Sequence, residues 1–298
     1  MNVNIIKHRN IWLSFSGALV VISIVALGLW GLKFGIDFTG GSMMEVVYGG
    51  DRPAAHIVKE QLKPLNLGEL EMKPAGEKGL LIRTKALDED THQKLLAELK
   101  KQDQTLVERS FDSIGPVIGA ELRSKSFWAI IIALLLILAY ITFTFRKVSY
   151  PVASWKYGST ALFALFHDLV TTIGVFAILG TFFGVELTSS FIPAFLTVLG
   201  FSVHDTIVVF DRIRENLLKY KGDFKDIVNK SLNETLVRSI NTSFTVMLVL
   251  VALLVFGGET IKQFALTLLI GIGLGTYSSI FVASPLLVIW NNLSKKKR

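Results

Sequence analysis

Six apolar runs, each long enough to cross a bilayer, constrain this chain more than any other feature. They lie near residues 11–32, 127–145, 157–183, 190–210, 239–256 and 261–290. A hydrocarbon core is about 30 Å thick and a helix rises about 1.5 Å per residue, so about 20 apolar residues span it. In lipid each backbone N–H and C=O must be bonded within its own segment, which makes every run a helix. A mean hydropathy of +0.52 and a charged fraction of only 18% suit a polytopic membrane protein better than a soluble one. The first run follows Lys7, His8 and Arg9. Its apolar core is longer than a signal peptide needs and no small-x-small cleavage pattern follows, so it reads as an uncleaved first membrane helix.

The loops orient the helices. Two basic residues precede the first run, residues 146–156 hold three with no acid, residues 211–238 hold seven against five acids, and residues 295–298 hold four. Six crossings put all four segments on one side, and the positive-inside rule makes that side cytoplasmic, with both termini there. The formal charge of +7 then reflects inner-face lysine and arginine rather than nucleic-acid binding. The chain has no cysteine, which excludes disulfides and thiolate metal sites. Three regions follow: residues 1–33, a first transmembrane helix; residues 34–125, an extracytoplasmic domain; and residues 126–298, five further helices with an amphipathic cytoplasmic loop at 211–238 and a basic tail.

The outer domain has its own pattern. Strands are expected at 43–48, 69–73, 80–84 and 106–111, and helices at 51–65, with Pro53 early, and at 88–101, with acids first and lysines last. The order strand, helix, strand, strand, helix, strand is that of a ferredoxin-like split βαβ fold. The expected fold class is therefore an α-helical polytopic membrane protein with six transmembrane helices and a ferredoxin-like α+β extracytoplasmic domain between helices one and two. His56 and His92 read as isolated side chains on helix surfaces, and neither metal nor cofactor is expected.

Ionisable residues at membrane depth are costly and are functional candidates by default. Asp205 lies in F-S-V-H-D-T-I-V-V-F-D-R-I-R-E-N, with no charge from Phe191 to Val203 or from Thr206 to Phe210. Asp168, in L-F-H-D-L-V-T-T-I-G, is deeper still, about 16 Å from the inner end of its helix against about 10 Å for Asp205, at helical rise. The two helices are consecutive, so the carboxylates can face each other. Each follows a histidine, His167 and His204, a residue able to relay protons near neutral pH. Arg238 opens the fifth run. It is either a counter-ion for Asp205 or an anchor that snorkels to the inner surface. Gly271, Gly273 and Gly275, with Ser278, Ser279 and Ala283, form a small-residue stripe, for sliding or for close static packing. Residues 211–236 show helical apolar spacing and suit an interfacial amphipathic helix pair.

Six motifs in order, G-I-D-F-T-G-G-S from Gly35, H-D-x-x-x-T-x-G from His167, D-T-I-V-V-F-D-R-I-R-E-N from Asp205, N-E-T-L-x-R-S from Asn233, F-G-G from Phe256 and G-T-Y-S-S-I-F-V-A-S-P-L-L from Gly275, together resemble the SecD/SecF family of protein-export membrane proteins, in the resistance-nodulation-division transporter superfamily. The resemblance covers nearly the whole chain and is on the SecF side. It implies a partner, SecD, beside the SecYEG channel, and use of the proton-motive force to draw unfolded polypeptide across the cytoplasmic membrane, with no enzymatic activity. The family's membrane carboxylate matches Asp205 and its essential arginine matches Arg238, which moves Arg238 toward the relay. Asp37, Gly40 and Gly41 belong to the family's hinge between first helix and outer domain. The family usually has Asn where this chain has His204. Two other classes fit less well. An intramembrane aspartyl protease would use both aspartates, but neither has the Y-D or G-x-G-D surroundings. A half-size exporter of lipids or small molecules would want an apolar pocket in the outer domain.

Overall fold

The computed structural model describes residues 3–145 and 152–295, so the basic residues expected to orient the loop at 146–151 and the tail at 296–298 lie outside the described residues. Contacts divide the chain into two compact units, Phe34–Phe127 on one hand and Met1–Lys33 with Trp128–Arg298 on the other.

After α1 (Arg9–Trp30), the first unit runs through α2 (Ile36–Thr39), β1 (Gly41–Val47), α3 (Ala55–Leu62), a 3₁₀ turn (Lys63–Leu65), β2 (Glu71–Ala75), β3 (Gly79–Thr84), α4 (Glu89–Lys100) and β4 (Val107–Ile114). The sheet order is β2-β3-β1-β4 and every pairing is antiparallel, as a ferredoxin-like fold requires. Side chains alternate across a strand. Met44, Val46 and Tyr48 therefore share one face with Leu80 and Ile82, and the core closes with Val58 and Leu62 of α3 and Leu95 and Leu99 of α4. Asp88 caps α4 by accepting the Thr91 N–H at 3.0 Å. Two details differ from expectation. Pro53 precedes α3 instead of lying in its first turn. His92 is buried, not on a surface: it stacks on Phe111 at 3.7 Å and meets Glu108 at 3.0 Å, because it shares one helical stripe with Leu95 and Leu99. His56 is exposed.

The second unit holds α1 and the helices α6 (Ser154–Phe183), α7 (Phe191–Lys219), α8 (Phe224–Phe256), α9 (Glu259–Ser278) and α10 (Ser284–Lys295), with α5 (Pro116–Thr144) leading into it. Among the described residues six segments have the length and apolarity of membrane spans; α9 and α10 share the last, Ile261–Leu293. Between them, Ser279–Ala283 forms a π-helical turn. Residues 211–219 and 224–238 are helical as expected, but they continue α7 and α8 instead of forming separate helices. At 29 and 33 residues these helices are about 44 and 50 Å long, well beyond the apolar thickness. Their polar ends pair with each other: Arg212 Nε meets Glu234 at 2.7 Å, and Asn216 Nδ2 donates to Ser231 Oγ at 2.9 Å. The glycine stripe of α9 is filled. A Cβ on Gly271 would overlap Val198, and one on Gly275 would come within 2.9 Å of Ser202 Cβ. This is close packing of α9 on α7.

Candidate functional site in the helix interior

The inward face of α6 carries small residues, including Gly158, Ala161, Ala164 and Ala177, which lets neighbouring helices approach. Asp168 sits on that face and is fully buried. A buried carboxylate needs donors on both oxygens. Here Ser202 of α7 donates to Oδ2 at 2.6 Å and Ser278 of α9 donates to the same oxygen at 2.7 Å. His167 Nδ1 lies 3.0 Å from Oδ1. Asp168 thereby ties three helices together. The residue after Ser278 starts the π turn, and its side chain turns to α7, where Ser279 Oγ lies 2.8 Å from Thr206 Oγ1 and 3.2 Å from the Ser202 carbonyl.

Asp205 is also buried, yet it is held much more lightly. Thr276 of α9 donates to it at 3.3 Å, and the Ser243 hydroxyl of α8 also reaches it. Thr276 Oγ1 is in turn 2.6 Å from Ser243 Oγ of α8. Thr276 and Ser278 are two residues apart, hence about 200° apart around α9. Both aspartates therefore bond to α9, Asp168 from α6 and Asp205 from α7, at positions on different sides of it.

The remaining expected relay members are dispersed. Arg238 is exposed, and no ion pair joins it to Asp205 among the described residues. The cause is helical phase: the buried stripe of α8 is Thr235, Ser239 and Ser243, and Arg238 points about 100° away from Ser239. His204 is exposed for the same reason, one position from Asp205. His167 is buried, and its Nε2 has no hydrogen-bond partner among the described residues. Its ring lies 6.2 Å from that of Tyr277, whose hydroxyl donates to the Trp12 carbonyl at 3.1 Å and lies 3.0 Å from Ser16 Oγ. The hydroxyl shell of Ser202, Thr206, Ser243, Thr276, Ser278 and Ser279 was not singled out as a set in the sequence, where only the last two stood out, as small residues.

In the outer unit Gly40 and Gly41 both have positive φ, +73° and +127°. A Cβ on Gly40 would come within 2.8 Å of Pro116 Cα, and one on Gly41 within 2.7 Å of the Thr84 carbonyl. The turn is thus wedged between β3 and the start of α5, with Gly119 packed equally close to the Gly40 nitrogen. Asp37 lies in the first turn of α2. A cavity of about 470 Å³ beside this turn is lined mainly by charged groups, Glu69, Glu71, Arg83 and Lys85. It is not the apolar pocket an exporter of small lipophiles would need. Among the described residues no three His, Asp or Glu side chains cluster as a metal would require.

The family model described as protein export membrane protein SecD/SecF, C-terminal, matches residues 94–293, and the SecD/SecF GG motif matches residues 26–49. Protein translocase subunit SecF of Thermobaculum terrenum is 44% identical, covering 97% of this chain and 94% of that protein. Its counterpart from Anaerolinea thermophila is 39% identical over the same shares. Among solved structures, SecDF from Thermus thermophilus, a translocon-associated membrane protein, superposes with a TM-score of 0.84 at 29% identity, covering 98% of this chain and 39% of that one. SecDF in a super-membrane-facing form gives 0.71 at 30% identity, covering 100% and 40%.

Proposed function

This chain belongs to the SecD/SecF family of protein-export membrane proteins, and we propose on that premise that it is the SecF subunit which, with SecD, couples the proton-motive force to late translocation through SecYEG. Its place is the prokaryotic cell membrane, as a multi-pass protein with an accessory role in Sec translocation, and it is not an enzyme. Both termini are assigned to the cytoplasm.

The observation that supports coupling is the contrast between the two carboxyls. Asp168, with three partners, anchors α9 to α6 and α7. Asp205, held at 3.3 Å by Thr276 and by a hydroxyl contact with Ser243, is the group that loads and releases a proton. Protonation of Asp205 alters its grip on Thr276, and α9 shifts while Ser278 stays tied to Asp168. The π turn, a wider and weaker stretch of helix, takes up the change. Arg238 and His204 are exposed on α8 and α7, and their part in the relay rests on the family resemblance. The Gly40–Gly41 turn moves with the outer unit, because rotation there would drive backbone into Pro116 and Thr84. The bend is assigned to the Lys33–Phe34 joint, where the Lys33 carbonyl is held by the Leu187 N–H at 2.8 Å and the Phe34 carbonyl by Arg83 at 3.3 Å. One proton crossing ~100 mV releases about 2.3 kcal/mol, enough to bias a two-state motion by almost fifty-fold. The exported unfolded chain is the load.

Proton uptake by vesicles reconstituted with this chain and SecD tests the reading. A pH gradient should drive uptake in wild type and not in Asp205→Asn. Equal uptake in both would remove Asp205 from the path.

A further inference from the structure

A cavity of about 330 Å³ lies between the turn ahead of α1 and the first turn of α8. Its wall is built, not incidental. The Val3 N–H donates to Asn233 Oδ1 at 2.7 Å, the Ile6 N–H donates to Asn229 Oδ1 at 3.2 Å, and the Asn233 amide returns a bond to the Val3 carbonyl at 2.9 Å. Ile5 and Ile6 are buried beneath. The two asparagines, one helical turn apart on α8, thus pin the amino-terminal segment in place.

Lys7, Arg9 and Lys225 line the cavity against a single acid, Asp226. Lys225 is 3.4 Å from Asp223, while Lys7 and Arg9 have no carboxylate partner among the described residues. Assembling cations without counter-charge is unfavourable, and an anion is what the arrangement lacks. The depth narrows the choice. Arg9 is two residues ahead of the apolar run that begins at Ile11, about 3 Å at helical rise, so Arg9 lies at the level of lipid headgroups, with Lys225 on the polar end of α8 beyond it. Basic pockets at that level hold phosphate, with arginine offering a forked pair of donors and lysine a point charge.

We propose that this cavity binds a phosphate group, carried by an anionic phospholipid or by a soluble phosphate ester, and that its occupation fastens the amino-terminal segment to α8. The site is separate from Asp205 and Asp168 and stands whether or not the coupling scheme does.

The test is native mass spectrometry of the full chain in neutral detergent, titrated with phosphatidylglycerol, phosphatidylcholine or inorganic phosphate. Wild type should retain phosphatidylglycerol or phosphate, and not phosphatidylcholine. Each cation near a charged surface is worth about five-fold in binding, so Lys7→Gln with Arg9→Gln and Lys225→Gln should weaken retention about 100-fold. Asp226→Asn should strengthen it about five-fold, a gain that misfolding does not produce. A control with the same charge loss elsewhere, Arg214→Gln with Lys219→Gln and Lys221→Gln, should bind as wild type does. Retention of the lipid alone identifies a headgroup site, and equal retention of inorganic phosphate identifies a soluble ester. No retention by wild type, or equal loss in the control, overturns the proposal.

Discussion

Replacing Asp168 by Ala and by Asn separates an anchor from a proton carrier. In Ala the Ser202, Ser278 and His167 groups all lose the carboxylate they now bond at 2.6, 2.7 and 3.0 Å. Hydrogen bonds between membrane helices average about 0.6 kcal/mol and reach about 1.7, so the two serine bonds amount to about 1.2 kcal/mol and at most about 3.4, and the His167 contact within α6 adds to that. A loss of 2 kcal/mol lowers the folded-to-unfolded ratio about 30-fold. Asn keeps a carbonyl that accepts from both serines and puts an amide nitrogen where the second oxygen was. Its stability should fall within about 1 kcal/mol of wild type. The assay is thermal unfolding in detergent alongside gradient-driven translocation in vesicles. Asp168→Asn should be nearly as stable as wild type and retain most of the gradient response, while Asp168→Ala should unfold earlier. If Asn unfolds as readily as Ala, the hydrogen-bond reasoning fails. If Asn is stable yet unresponsive, Asp168 carries the proton and the anchor role is refuted.

Other outcomes follow from single contacts. Gly41→Ala puts a Cβ against the Thr84 carbonyl at positive φ and should destabilise the outer unit by about 2 kcal/mol, read as faster amide exchange in β1 and β3; unchanged exchange would refute the wedge. Gly271→Ala should lower thermal stability by about 1–3 kcal/mol, since Val198 occupies the space; an unaltered melting curve would show that α9 is loosely seated. Asp103 is held below the ordinary carboxylate range by the Thr105 hydroxyl and backbone N–H, and further by the Gly49 and Gly50 N–H groups. With the folded value depressed, its contribution is present above an unfolded value of about 4 and is lost as pH falls through the folded one. Asp103→Asn should therefore flatten the acid end of the outer unit's stability curve, and an identical curve would contradict this.

The sheet topology and the spans were legible because each rests on a repeated signal: alternation in β1 and β3, and twenty-residue apolar runs that lipid permits only as helices. Asp205 and Asp168 were legible because a charge inside such a run is conspicuous. Their surroundings were not. Which serine meets which aspartate depends on how far each helix is rotated, and Ser202, Thr276 and Ser243 resemble any small polar residue in a membrane helix. The Asp205–Arg238 pair is absent among the described residues on the same ground, one residue of helical phase on α8. The π turn at Ser279–Ala283 has no compositional signature. His92 is different, since its spacing from Leu95 and Leu99 already placed it on the buried stripe of α4, and only its polarity argued for the surface.

The central claim is that Asp205 couples the proton gradient to export. Late translocation of a stalled precursor, followed in inverted vesicles that hold the translocon with SecD and this chain, puts it to the test directly. A gradient should accelerate release with the wild-type chain and leave Asp205→Asn, equally well folded, unaffected. Equal acceleration with both chains would contradict it and make Asp205 a packing residue.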